Sequence, residues 1–223
     1  MKIVAFLLVL ITVTNFSFAQ DTTYNSVKQL LLEINESDQR YRRQIEFIET
    51  KYGRESNQLK ALLDDMYLAD SINLIHVDSI LKVFGWLGSD KIGSQANLTL
   101  FAVIQHSKLS VQLEYLPLIR EAVIKGNAQA KNLAILEDRV AIFQGKMQTY
   151  GSQVFWSKLT NKYFILPLAD IDNVDKKRAE VGLQPLAEYV SRWNIKWNAE
   201  EYKKSLPSII DEWKTILDQL KLD

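Results

Sequence analysis

The chain has no cysteine. That single absence removes disulfides, thiol catalysis, cysteine-ligated zinc and iron–sulfur clusters from consideration. Histidine is almost as scarce: His76 and His106 are the only two, far apart in the sequence, so no zinc site is expected and no cofactor is implied. Charge of one sign is also missing, since 27 Lys and Arg face 27 Asp and Glu. Without a basic excess there is nothing to release the counterions of a phosphate backbone, and nucleic acid is not an expected partner. The G-x-S-x-G elbow, the H-E-x-x-H pair and the Walker loop are all lacking, and "YGS" at 150–152 is not followed by a strand-to-helix turn. Internal repeats, low-complexity tracts and linkers are likewise absent.

What is present begins with a leader. Lys2 is a minimal positive region, and Ile3 to Val13 is an apolar run too short for the roughly 20 residues that span a bilayer. Ser17-Phe18-Ala19 then puts small residues at positions −3 and −1 of a cleavage site. Residues 1–19 therefore read as a signal peptide, with Gln20 as the first mature residue. The expected destination is the periplasm or the medium, without a lipid anchor, because no cysteine follows the leader. No membrane span is expected after cleavage. The remaining chain of about 204 residues is long enough to fold on its own core. Without Lys2 it carries 26 basic and 27 acidic residues, and a hydrophobic content of 47% is ordinary for a globular protein.

Most of that chain has helical periodicity. Val27, Leu30, Leu31 and Ile34 mark a first helix over 25–35. Ser37 is placed to cap a second, stopped by Gly53, and a third covers 55–69. Asp70 is placed to cap a fourth, with Ile72, Ile75, Ile80 and Val83 as its stripe, ending in the glycine-rich loop "FGWLGSDKIG". Ser94 opens a helix that is apolar on nearly every side from Leu98 to Ile104, the mark of a buried element, and its last turn carries Gln105 and His106. A helix after Ser110 contains Pro117, read as a kink or as the true first turn, and ends at Gly126. In "NAQAKNLAILEDRVAIFQG", a second all-round apolar helix, Asp138 shares a face with Ala134, Ile135, Ala141 and Ile142. A carboxylate on that face needs a partner.

The pattern then changes to aromatic and β-branched residues around a polar "TN" turn, which reads as one hairpin near residues 148–168. Two short helices follow, one stopped by Gly182 and one opened by Pro185, and an amphipathic tail runs from Leu206 to Leu220 with Ile209, Ile210, Trp213, Ile216 and Leu217 on its stripe. The fold class is therefore mainly α: a single compact multi-helix domain with one small β-hairpin. Its parts are the leader 1–19, an N-terminal helical segment 20–36, a core 37–189 and a C-terminal helical extension 190–223. Before the hairpin, "QTYGSQ" at 148–153 gathers Gln148, Tyr150 and Gln153 around Gly151. A bulge at that glycine would bring all three side chains to one face of a strand, a polar wall at the hairpin rim.

A set of short motifs in fixed order carries a resemblance: Asp38-Gln39, Asp70 with Asn73, "GW" at 85–86, "QHS" at 105–107, Gln112, "LP" at 116–117, "LEDRV" at 136–140, "QTYGSQ" at 148–153 and "RAEVGLQPL" at 178–186. Together they resemble the bacterial family called domain of unknown function 6624, from about Ser37 to Tyr189. The resemblance implies a shared fold and a shared pocket, but no reaction. His76 departs from the pattern, and residues 190–223 lie beyond it.

Two readings of function follow. In the first, the chain holds a cleft for a small polar ligand, for binding or hydrolysis. His106 is its acid or base, since histidine ordinarily titrates near neutrality. Asp138 orients the ring, and Gln105, Arg139, Gln148, Tyr150 and Gln153 contact the ligand. In the second, the chain is a non-catalytic module of the cell envelope, and the polar cluster only specifies the fold. Asp38 and Arg42, at i and i+4, read as a helix-surface pair worth about 0.3–0.5 kcal/mol. Arg178 is a weaker candidate for the cleft, His76 belongs to the core or the surface, and nothing in the sequence specifies an oligomeric state. The tail is too acidic on its polar face, at Asp211, Glu212 and Asp218, to lie on a membrane. Mass spectrometry of envelope material is expected to find a chain beginning at Gln20; intact Met1 in the cytoplasm would overturn the leader.

Overall fold

The computed structural model describes the backbone of residues 2–220 and the side chains of residues 22–219. The expected leader and Leu220 of the tail stripe thus lie outside the residues whose side chains are described. The chain is mainly α with one hairpin, and its contacts divide it into two compact units, Met1–Ser107 and Lys108–Asp223.

The first unit is all helix: α1 (Lys2–Arg42), α2 (Ile45–Tyr52), α3 (Asn57–Phe84), α4 (Ser89–Ile92) and α5 (Ser94–His106). Two expected boundaries do not exist. Ser37 caps nothing, because α1 runs through it to Arg42 and breaks only at Arg43–Gln44. Asp70 caps nothing either, because α3 is continuous from Asn57 to Phe84. Nothing between 57 and 84 is a glycine or proline, so no residue there breaks the backbone ladder. The cap of α3 is Ser56, whose Oγ accepts the Leu59 N–H at 3.2 Å. Gly53 does stop α2, with φ of +90°.

The stripe of α3 also differs from expectation. Of the four expected residues only Ile80 is buried, and it belongs with Leu59, Met66, Asn73, Val77 and Leu81; Ile72, Ile75 and Val83 face outward. Periodicity alone could not separate the two faces, since both are apolar. Leu31 and Ile34 of α1, Val77 of α3, and Leu100 and Ile104 of α5 are among the fully buried side chains of this unit. The expected glycine-rich loop contains the single turn α4, with Trp86, Leu87 and Ile92 buried around it.

The second unit contains α6 (Leu109–Ile124), α7 (Ala130–Phe143), β1 (Val154–Ser157), β2 (Lys162–Ile165), α8 (Val174–Glu180), α9 (Leu186–Ser191) and α10 (Ala199–Leu220). Pro117 lies inside α6 and is not its first turn. The hairpin is antiparallel, pairing Val154 with Ile165 and Ser157 with Lys162. Its turn is closed by Ser157 Oγ, which accepts the Thr160 N–H at 3.1 Å, and Asn161 supplies the positive φ of 54°.

α10 starts earlier than the expected tail and completes two apolar clusters of this unit. Tyr202 and Ile209 join Ile165, Leu168, Val174, Leu186 and Val190; Trp213 and Leu217 join Ile142 and Leu166. The Tyr202 hydroxyl donates to Leu166 O at 2.8 Å and accepts the Leu168 N–H at 3.0 Å, and burial pushes its phenol well above the ordinary value. Trp213 meets Phe155 edge-on with ring centroids 5.5 Å apart, and its Nε1–H donates to Ile142 O at 3.2 Å. Only 3% of Trp213 is exposed. Trp213→Ala is therefore expected to destabilise the protein by about 3–5 kcal/mol in denaturant titration; an unchanged midpoint would contradict this packing.

Candidate functional site

Polar groups gather at two places, one in each unit. In the second unit the centre is Asp138, on the buried face of α7 between Ala134 and Ile142 and 1% exposed itself. Its carboxylate accepts four contacts from backbone: Thr149 N–H at 2.7 Å and Tyr150 N–H at 3.0 Å on Oδ1, and Tyr150 N–H at 3.1 Å and Ser152 N–H at 2.9 Å on Oδ2. Burial holds this carboxyl above the usual carboxylate range, against the pull of the Ser152, Tyr150 and Thr149 N–H groups.

Residues 148–153 are therefore not a bulged strand but a loop wrapped over a carboxylate. Gly151 adopts φ of +67°, and a Cβ there would stand 3.0 Å from Leu186 Cδ1, so both conformation and space disfavour a side chain. Gln148 is fully buried, and its amide acts as an extra rung of backbone. Its Nε2 donates to Gln153 O at 3.0 Å and Leu166 O at 2.8 Å, while its Oε1 accepts the Gln153 N–H at 2.8 Å. The Gln153 Nε2 donates to Ser152 Oγ at 2.9 Å and Ile135 O at 3.3 Å. The loop is held from the other side by Arg178, also fully buried, whose Nη1 donates to Tyr150 O at 2.5 Å and whose Nε donates to Gln184 O at 2.6 Å. The Tyr189 ring lies 4.8 Å from the guanidinium, and its hydroxyl donates to Ser152 O at 2.8 Å. Burial lowers the Arg178 pKa from its ordinary value. The half-buried Tyr150 phenol is pushed up by burial and by Glu137, Asp138 and Glu180. The Arg139 guanidinium lies over the Phe143 ring at 5.3 Å.

The first unit holds the other cluster. His106, at the last position of α5, places Nδ1 2.8 Å from Asp38 Oδ1. Asp38 is 1% exposed, and the His106 side chain is 25% exposed. Gln39 Nε2 donates to Asp38 Oδ2 at 2.7 Å. Arg42, one turn on, donates through Nη1 to the Asp38 backbone carbonyl at 2.6 Å and forms a two-pronged pair with Asp70 at 2.9 and 2.7 Å. One network thus ties α1, α3 and α5. Burial raises the Asp38 carboxyl, but the hydrogen bond and charge of His106, the charge of Arg42 and the Gln39 bond outweigh it, and the carboxyl lies below its ordinary value of 3.8. Asp38 therefore contributes stability in full above the ordinary value, and this is lost as pH falls through the lowered one.

Because a carboxylate only accepts, Nδ1 of His106 carries the proton and Nε2 is the nitrogen left to face a ligand. Asn73, one turn from Asp70 on the buried face of α3, adds an Nδ2 that is buried without a hydrogen-bond partner among the described residues. Asp38, Asp70 and His106 each bring one ligand atom within 4.8 Å of the others, close enough in principle to hold a metal ion. The Arg42 guanidinium already sits on both carboxylates, so a cation would have to displace it.

The groups expected in one cleft thus belong to two units. His106 and the buried Gln105 are in the first; Asp138, Arg139, Gln148, Tyr150 and Gln153 are in the second. The carboxylate that orients His106 is Asp38. A concavity of about 200 Å³ in the second unit lies among Tyr163, Ile195, Trp197, Glu201 and Tyr202, and none of the expected groups lines it. Asp38, read as half of a surface pair, is the residue the sequence reading missed. Its signal was its position: with Val27, Leu31 and Ile34 it continues the buried stripe of α1 at helical spacing.

The family of unknown function DUF6624 matches residues 25–198. The chain belongs to this family. Neither a curated protein nor a solved structure matches the chain. The family's span begins before Ser37 and takes in Asp38, Arg42, Asp70, His106, Asp138, the 148–153 loop and Arg178, while α10 follows it. His76 is exposed on α3.

In Asp138→Asn an amide N–H₂ would face N–H donors that now meet a carboxylate oxygen. The substitution is expected to cost more than about 2 kcal/mol, read from the urea midpoint at unchanged slope. A neutral outcome would show that the loop does not depend on this carboxylate.

Proposed function

We propose that this protein binds, and hydrolyses, a small polar ligand at His106, with Asp38 as the residue that orients the ring. The observation that carries the reading is the 2.8 Å contact between Nδ1 and a buried carboxylate held below its ordinary pKa, on a ring that is partly exposed. In the reaction Nε2 takes a proton from water as the hydroxide attacks the ligand's electrophilic atom. The proton then passes from Nε2 to the leaving group, and the Asp38 charge stabilises the imidazolium in between. Arg42 and Gln39 keep Asp38 ionised and fixed. Export to the periplasm or the medium, with removal of residues 1–19, accompanies this reading.

The Asp138 network supports the second reading for its own unit. The Asp138 carboxylate and the Gln148 amide are spent on neighbouring backbone, as expected of groups that specify a fold.

The test uses chromogenic esters, phosphoesters and glycosides, together with the ¹⁵N shift of the His106 ring under a panel of polar ligands. His106→Gln is expected to lower turnover of the responsive substrate by at least about 100-fold. Its stability should change by no more than about 1 kcal/mol, since Gln39 and Arg42 still satisfy Asp38. A loss of about 3–5 kcal/mol, with no ligand moving the ring resonance, would instead make the His106–Asp38 pair a helix lock.

A further inference from the structure

The hollow of about 200 Å³ in the second unit lies between β2, the loop that joins α9 to α10, and the first turns of α10. Its walls are of two kinds. Tyr163, Trp197 and Tyr202 supply aromatic rings. The Tyr202 hydroxyl is held by Leu166 and Leu168, so this residue offers only its ring. Trp197 stands half-buried beside it, with ring centroids 5.2 Å apart and planes inclined by 51°. Tyr163, also half-buried, continues into a row of rings, with Trp156 at 5.0 Å and Trp193 at 6.2 Å. The other wall is polar and consists of Lys196, Asn198 and Glu201. Asn198 Oδ1 accepts the Glu201 N–H at 3.0 Å and caps α10, while its Nδ2 has no protein partner among the described residues. The Lys196 ammonium and the Glu201 carboxylate are likewise unpaired among the described residues. The neighbouring Lys203 pairs instead with Asp172 and Glu200, at 2.5 and 2.9 Å.

We propose that this hollow binds one pyranose ring of a neutral saccharide. A sugar ring has apolar C–H faces that pack on aromatic rings, and an edge of hydroxyls that both donate and accept. The indole and phenol rings meet the first, Lys196 and Asn198 donate to the second, and Glu201 accepts from it. Other classes of ligand match one wall and not the other. A quaternary cation suits the rings and Glu201 but is repelled by Lys196, and an anion is repelled by Glu201. A purely apolar group would strip water from three polar side chains and give them nothing in return. A flat base stacks best between parallel plates, and the inclined Trp197 and Tyr202 rings form an angled wall. Pockets for drug-sized molecules begin at roughly 300 Å³, so this smaller hollow takes a single ring. A longer glycan would run on from Tyr163 over Trp193 or Trp156. None of these residues belongs to the His106 cluster, and the proposal stands without that reading.

The test follows the indole N–H resonances of the full chain, with Trp197 assigned by its loss in Trp197→Phe. The probes are the methyl α- and β-pyranosides of glucose, galactose, mannose and N-acetylglucosamine. At least one is expected to move the Trp197 resonance with a Kd of about 1–20 mM. Saturation transfer from protein to sugar then reads the variants. Trp197→Ala should abolish the transfer. Glu201→Gln and Lys196→Gln change exposed side chains, and each should weaken binding at least about fivefold with an unchanged circular dichroism spectrum. A tetrasaccharide that binds at least about tenfold tighter than its methyl pyranoside would make the ligand a glycan chain, and equal affinity would make it a single sugar. A Trp197 resonance that no pyranoside moves at about 50 mM would overturn the proposal. So would choline or adenosine binding more tightly than every pyranoside, and so would sugar binding indifferent to both polar variants.

Discussion

A carboxylate in a helix core must find donors, and the second unit is built around how Asp138 finds them. Three consecutive helical turns of α7 bury Ala134, Asp138 and Ile142, and the charge in the middle is tolerable only because the chain returns and points N–H groups at it. The return path explains the rest. Gly151 lets the backbone curl tightly under Leu186, Gln148 replaces a missing backbone partner for Gln153 and Leu166, and Arg178 closes the outer side on the Tyr150 carbonyl. The hairpin, α8 and α9 are thereby fixed with respect to α7 through one polar knot.

The two clusters contrast in what they leave over. Around Asp138 the acceptors meet donors from the same unit, and only buried edges such as Arg178 Nη2 stand without a partner among the described residues. Around Asp38 one ring nitrogen lies beyond the network on a side chain that solvent can reach. A site for chemistry needs such an unused valence held by a rigid surround, and α1, α3 and α5 provide the surround.

The sequence made the helices and the hairpin legible wherever one face was apolar and a glycine or a cap marked the end, as at Gly53, Ser94 and Gly182. It failed where tertiary contacts override local signals. Asp70 has the character of a cap, but Arg42, distant in sequence, gives its carboxylate a better partner inside a helix. α3 is apolar on two faces, and nothing in its periodicity says which is inward. The motif residues fall in two separate units, and their order in sequence does not distinguish a loop that wraps a carboxylate from one that lines a cleft. Asp38 was legible as a charge on a buried stripe, but its nearness to Arg42 in sequence suggested a surface pair instead.

The hydroxyl of Tyr202 and the indole of Trp213 reach back 36 and 71 residues for their acceptors. Two apolar clusters of the second unit therefore stay open until α10, 199–220, has been made. During synthesis this half of the chain cannot close early into a finished core.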